Sequence, residues 1–420
     1  MTPVPRPTVE PSFAAQQQIA RITGTSEVQA ALEWLCSEES RFARWQLELA
    51  QIAAPPFGED ARAAWLTERF RELRLQNVQR DSAGNVIGFL SAPGHAEIVS
   101  ISAHLDTVFP ATTALNIRRQ GNRLYGPSVS DNCAGVTAIL AIADVFVRFS
   151  LRHDRSLVFI GNVGEEGEGN LRGIRHIFFD SPWKDAIAAS VVVDGAGCDT
   201  IIAEALGSRR FEITIRGPGG HSWSDFGAPN PIVALAHAVH LFSKTRVSAS
   251  PKTTFNIGIV QGGTSVNTIP ESAAMRVDIR STSSFEMERL EIELRRAVEQ
   301  ALREEEARGA ETGNSSVKPT RLEANIVSIG DRPAGELQAN SRILQTAHAV
   351  DAHLGNRAKV QRASTDANIP ISLGREAVAI GAGGSGGGAH TLQEWFDTTG
   401  RELGLRRILL LVLAMAENVK

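Results

Sequence analysis

The chain has 420 residues, 42% of them hydrophobic and 21% charged, with a formal net charge of −4. That length is long for one hydrophobic core and favours two domains. The slight acidity offers no basic footprint for nucleic acid, and no run approaches the roughly 18 apolar residues that span a membrane.

Cys36, Cys133 and Cys198 are too few and too scattered for a disulfide framework or a paired-thiolate metal site. No apolar leader is visible in residues 1–22, and the expected compartment is the reducing cytoplasm.

In chain order, residues up to about 22 read as a loosely held leader. From 26 to about 52, apolar positions recur at helical spacing until Pro55-Pro56-Phe57-Gly58 breaks the pattern. The pattern predicts a helix over 60–73 and strands over 78–90 and 97–102. A strongly apolar helix is predicted over 132–149, starting at Asp131, which stands where an N-cap belongs. A strand, a loop, a helix and a further strand then reach Asp194, the alternation of a βαβ sheet.

The texture changes near Arg209. Phe211-Glu212-Ile213-Thr214-Ile215 alternates as a strand with one wet face does, followed by a helix over 231–242 and strands over 254–259 and 274–280. A long charged helix over 284–308 and a strand over 322–329 complete this segment. A helix over 343–354, a strand over 378–380 and a helix over 404–419 return to the first pattern. The expected fold class is therefore α/β: a doubly wound, mostly parallel sheet in residues 1–208 and 331–420, interrupted by an α+β domain at 209–330. The glycine-rich run 381–388 lacks the Lys and Ser/Thr of a phosphate loop and reads as a flexible turn that delivers His390.

Short apolar runs bounded by Gly or Pro read as strands covered on both faces. Here they end in chemistry: 98–102 leads to His104 and Asp106, 157–160 to Glu165 and Glu166, 191–193 to Asp194, and 378–380 to His390. Singly, each residue has an ordinary reading: a core histidine, a helix cap at Asp131, a solvated acidic loop, a turn at Asp194-Gly195. Together they would gather beyond the carboxyl ends of the strands, where open α/β sheets bind ligands.

His104, Asp131, Glu166, Asp194 and His390 offer nitrogen and oxygen and no thiolate, which suits zinc, cobalt or manganese. Five ligands exceed the three of a mononuclear catalytic zinc, so two metals sharing one bridging carboxylate fit better. Asp106, two residues from His104 on an extended segment, can orient it. No GxSxG elbow supports serine catalysis.

The segments SAHLDTVFP, SDNCAGV, GNVGEEGEGNLRG, VVVDGAG, GPGGHSW and GGGAHTLQEW resemble, in order, the motifs of the dinuclear zinc peptidases. That family includes peptidase T, the glutamate-releasing carboxypeptidases, succinyl-diaminopimelate desuccinylase and aminoacylase. The resemblance runs from about residue 50 to the C-terminus. It implies two divalent ions, zinc first, bridged by Asp131, with His104 and Asp194 completing one shell and Glu166 and His390 the other. Asp106 would orient His104. Glu165 would be the general base, taking a proton from water and returning it to the leaving amine.

The resemblance also implies that the inserted domain is a lid and homodimerisation module. Its His221 would stabilise the oxyanion, in relatives often that of the partner subunit, with Asn267 and Arg280 as substrate-contact candidates. The implied function is metal-dependent hydrolysis of small peptides by a di-/tripeptidase or aminopeptidase-like enzyme, with no nucleic-acid or membrane partner. Asp194 rather than Glu, together with Ser364-Thr365-Asp366-Ala367-Asn368, points to the peptidase T-like members. The HSW context of His221 departs from peptidase T itself. The alternatives are an N-acyl-amino-acid amidohydrolase or carboxypeptidase-like deacylase and, in another class, a non-catalytic binding protein, against which the retained Glu165 and full ligand set argue.

Overall fold

A computed structural model describes residues 10–91, 97–311 and 321–418. The chain divides into two compact units, residues 1–205 with 336–420, and residues 206–335.

The first unit is built on a nine-stranded mixed sheet. Ser156–Asn162, Ile98–His104, Ile187–Val193 and Glu376–Ile380 lie side by side in that order, all parallel. Parallel order stops at the flanks: Val86–Leu90 joins Ser156–Asn162 antiparallel, and Thr200–Ala205 meets Glu376–Ile380 antiparallel. The whole of Ile98–His104 is buried. Successive residues alternate between the sheet's two faces, and helices cover both. Val99, Ile101 and Ala103 join one core with Cys133–Arg148 and Arg401–Ala416, while Ile98, Val158 and Ile160 join another with Arg172–Phe179. Each fully buried Val or Ile contributes roughly 1.5–3 kcal/mol, which is why these central strands are mostly apolar.

Several elements differ from expectation. The supposed leader contains a helix, Phe13–Thr23, capped by Ser12 and burying Ile19 and Ile22; it packs on Arg342–His353 and Arg401–Ala416. Residues 1–9 and Val419, at the ends of two expected segments, lie outside the described residues. The single helix expected from 26 to 52 is two, Ser26–Ser37 and Glu39–Ala50. At the break the Ser37 hydroxyl bonds the Trp34 carbonyl, offering the backbone a local alternative to helix. The strand expected over 78–90 is a hairpin, Gln76–Arg80 with Val86–Leu90. Asp81 Oδ1 accepts the amides of Ala83, Gly84 and Asn85 and so closes the turn.

The second unit is a four-stranded antiparallel sheet in the order Thr253–Gly262, Ser272–Ser281, Gly207–Arg216, Glu323–Arg332. Phe211, Ile213, Ile215, Met275, Val277 and Ile279 face a core shared with Pro231–Ser243 and Ser284–Glu311. The opposite face carries ion pairs such as Arg276–Glu212. Among the described residues, no helix is long and apolar enough to cross a membrane.

Candidate metal centre

The register of the central strands brings their carboxyl ends abreast. His104 stands opposite Asn162, and Ile380 opposite Val193. Glu165 and Glu166 follow the first pair, and Asp194, whose amide bonds the Ile380 carbonyl at 3.0 Å, follows the second. Asp131 precedes the helix Cys133–Arg148, and His390 arrives on the segment after the glycine run at a left-handed φ of 65°, a conformation uncommon outside glycine.

His104 Nε2 lies 3.1 Å from Asp131 Oδ1 and 3.7 Å from Asp194 Oδ1. His390 Nε2 lies 3.1 Å from Asp131 Oδ2 and 2.8 Å from Glu166 Oε1. Three sets, His104/Asp131/Asp194, Asp131/Glu166/His390 and His104/Glu165/Glu166, each have potential ligand atoms within 4.8 Å of one another. The first two sets share Asp131 alone, which turns one oxygen toward each histidine.

Asp106 lies wholly buried beneath these groups. Its carbonyl is 3.1 Å from His104 Nδ1 and its carboxylate 3.7 Å away. A carbonyl only accepts, so Nδ1 carries the proton and Nε2 of the neutral ring is free to ligate. The Asp106 carboxylate accepts the amides of Glu165 at 3.0 Å and Glu166 at 2.7 Å. It therefore orients the acidic turn as well as lying beside His104.

Burial would depress His104, yet the Asp106, Asp131 and Asp194 carboxylates hold its pKa well above the usual value. His390 is pushed up to about 9, chiefly by its hydrogen bond to Asp131. Glu166 is raised by burial and by the negative charge of Asp131. The acidic cluster thus draws positive charge onto both imidazoles. Clustered hard oxygen and imidazole donors with no thiolate suit divalent cations, and the residues present fit two of them.

With its imidazole pushed up to about 9, His390 as a ligand would give up a proton to metal, so the expected result is proton release on loading and an apparent metal affinity that rises with pH. Calorimetric titration in buffers of different ionisation enthalpy reads this; a buffer-independent heat at pH 7 would contradict it.

Two positioning residues escaped the sequence reading. The cap of Cys133–Arg148 is Asn132 rather than Asp131: its Oδ1 accepts from Gly135 N at 3.0 Å and Gly195 N at 3.2 Å, and its Nδ2 donates to the Val193 carbonyl at 2.9 Å. A Cβ on Gly135 would come within 2.6 Å of that carbonyl, so glycine lets the helix start approach the strand end and sets Asp131 beside Asp194. Glu394 is the second. It is fully buried and accepts the amides of Ser128, Ser130 and Asp131 at 2.8, 2.7 and 2.8 Å. Burial pushes its pKa up to about 7 against those donors. Its signals in the sequence were its place four residues after His390 and its inclusion in the GGGAHTLQEW segment.

The glycine run is packed rather than a flexible turn. A Cβ on Gly383 would lie 2.4 Å from the Arg401 carbonyl, and Ser385–Gly387 pairs with Trp395–Asp397. Asp366, in the Ser364–Asn368 segment, is fully buried, accepts from Asn162 Nδ2 at 2.6 Å, and is raised by burial to about 7.

The other three candidates belong to the second unit. His221 and Asn267 are neighbours there: Gly220–His221 pairs with Thr268–Ile269, and Ser222 N donates to the Asn267 carbonyl at 3.0 Å. His221 is exposed, and its Nδ1 accepts the Trp223 amide at 3.1 Å. An amide only donates, so the proton of the neutral ring is on Nε2. Arg280 sits at the far end of Ser272–Ser281 from that ribbon, roughly 25 Å along extended chain, with Nε 2.7 Å from Asp278.

The chain matches Peptidase family M28 over residues 85–205 and the peptidase dimerisation domain over residues 204–306. It is 25% identical over 236 residues to carboxypeptidase G2 of Pseudomonas sp. (strain RS-16), covering 53% of this chain and 55%, about half, of that protein. The structure resembles aminopeptidase PepT of Bacillus cereus with a TM-score of 0.71 at 18% identity, covering 90% of this chain and 99% of that one. It also resembles the YXEP protein of Bacillus subtilis, a dinuclear metal-binding peptidase of family M20, with a TM-score of 0.64 at 15% identity over 91% and 99%. Two family matches over adjacent segments and fold likeness along nearly the whole chain agree: the chain is similar in sequence to a peptidase family and a peptidase dimerisation domain, and in fold to peptidase structures.

Proposed function

We propose that this protein hydrolyses the amide bond of small peptides, as a di- or tripeptidase or aminopeptidase-like enzyme, with two zinc ions held by His104, Asp131, Glu166, Asp194 and His390. The observation that carries this is the pair of ligand sets joined only at Asp131, with Glu165 in a third set beside them. Metal ions at such a centre lower the pKa of water toward about 7 and polarise a carbonyl.

The chain's own residues do the rest. Glu165 is buried, and its backbone amide is tied to Asp106; it takes the proton from the attacking water and returns it to the departing amine. Asp106 keeps both glutamates in register. His221, with Nε2–H free to donate, meets the developing oxyanion, and Asn267 on the same ribbon contacts substrate. Arg280 is a candidate for a substrate carboxylate, after exchanging its Asp278 partner.

We assign the inserted unit, residues 209–330, as lid and dimerisation module. Its match to the peptidase dimerisation domain supports this, as does the long edge strand Thr253–Gly262 with exposed Ile259 and Val260, an edge of the kind that pairs with another chain. The free thiols Cys36, Cys133 and Cys198 suit a reducing cytoplasm.

The test is hydrolysis of matched substrates by zinc-loaded protein: free di- and tripeptides, their N-acetyl forms, and N-acyl amino acids. Turnover confined to free amines supports the peptidase. Turnover of the acylated set alone moves the protein to the amidohydrolases with the metal assignment intact. Replacing His221 with Ala lowers kcat by about 10²–10³-fold, the worth of one oxyanion donor, with a much smaller change in KM. An unchanged kcat would remove His221 from the reaction.

A further inference from the structure

We propose that Glu394 is a positioning residue that sets the bridging carboxylate, and through it the spacing of both metal positions; this rests on the two-metal reading of the site. The Glu394 side chain gathers three amides of one loop, with Oε2 taking Ser128 N and Oε1 taking both Ser130 N and Asp131 N. Its own carbonyl accepts Gly126 N at 2.9 Å. Residues 126–131 are thereby wrapped around one buried anion.

The last of those amides belongs to Asp131, whose two oxygens face His104 and His390 separately. The segment that carries Glu394 also carries His390, so one stretch of chain supplies a ligand of one set and anchors the residue common to both. On the far side, Asn132 ties the same turn to Val193 and Gly195. Asp131 is thus held from two directions, by the Glu394 carboxylate on one side and the Asn132 amide on the other.

Three donors converging on two oxygens require acceptors at both. Glu394→Gln presents an amide NH₂ where one backbone N–H already points, leaving a buried donor unpaired and the loop displaced. Because the displaced residue is shared, both metal positions weaken together. His390→Ala, by contrast, removes a ligand from one set only.

Zinc titrated against a chromophoric chelator reads both sites, and the zinc-induced rise in Tm separates metal binding from the stability of the metal-free fold. The expected result for Glu394→Gln is a loss of about 10–100-fold in affinity at both sites, the range of an outer-shell change, with a reduced zinc-induced Tm shift. Should the Gln variant not fold, Glu394→Asp keeps the charge but withdraws it by one methylene, and it shows the same coupled loss to a lesser degree. His390→Ala loses one site and keeps the other. Wild-type protein that takes up two zinc ions, alongside Glu394 variants whose titration matches it or loses one site only, overturns the role of Glu394 and leaves the two-metal reading standing. Wild-type protein that takes up none overturns both.

Discussion

Glu165→Gln lowers kcat by about 10²–10⁴-fold on any substrate the wild-type protein cleaves, while zinc uptake stays at two ions per chain. That range is the usual worth of a positioned acid–base group, or about 3–5 kcal/mol of barrier at 1.36 kcal/mol per decade. Gln matches Glu in shape, so the buried turn and the hydrogen bonds from the Glu165 and Glu166 amides to Asp106 persist. Only the capacity to hold a proton disappears. Steady-state kinetics on samples of measured zinc content checks this. A loss of activity that tracks lost metal would make Glu165 a ligand, and activity within a few-fold of wild type would leave the general base to be found elsewhere.

Asp131→Ala abolishes both metal sites at once. Asp131 is the residue shared by the His104/Asp131/Asp194 and Asp131/Glu166/His390 sets, at 3.1 Å from each ring. Its loss exceeds the roughly 10–100-fold penalty of an outer-shell change and takes activity to background even at millimolar zinc. Asp194→Ala touches one set and should leave the other ion bound. Metal content after dialysis discriminates the two variants, and equal stoichiometries would refute a shared ligand. The metal-free protein should also become less stable on losing Asp131. Burial opposes ionisation of this carboxyl, but His104 and His390 hold its pKa below the usual range. Its contribution is therefore present above the unfolded carboxylate pKa near 3.9 and is lost as pH falls through the depressed native value.

The chemistry was legible because strand ends are. Ile98–His104, Ser156–Asn162, Ile187–Val193 and Glu376–Ile380 are short, mostly apolar runs that lead to His104 and Asp106, Glu165 and Glu166, Asp194, and His390, and apolar runs covered on both faces lie at the middle of a sheet. The hairpin at Asp81 and the helix Phe13–Thr23 were legible too. Turn residues sat in plain view at 81–85, and the Ala15, Ile19 and Ile22 stripe has helical spacing, but each was hidden inside a longer polar or apolar run.

By itself, the sequence determined which residue types could hold metal, that four strands would deliver them to one edge, and that a different α+β texture interrupts the first pattern. Local periodicity and composition carry that much, since they depend only on near neighbours along the chain. Only the tertiary structure decided how the ligands group. Asp131 faces two histidines because Asn132 bonds Val193 and Gly195, and because Glu394 gathers the amides of Ser128, Ser130 and Asp131. Those partners lie far from Asp131 along the chain and carry no periodic mark. A buried acceptor must find its donors wherever the fold brings them, and that choice exists only once the chain has closed on itself.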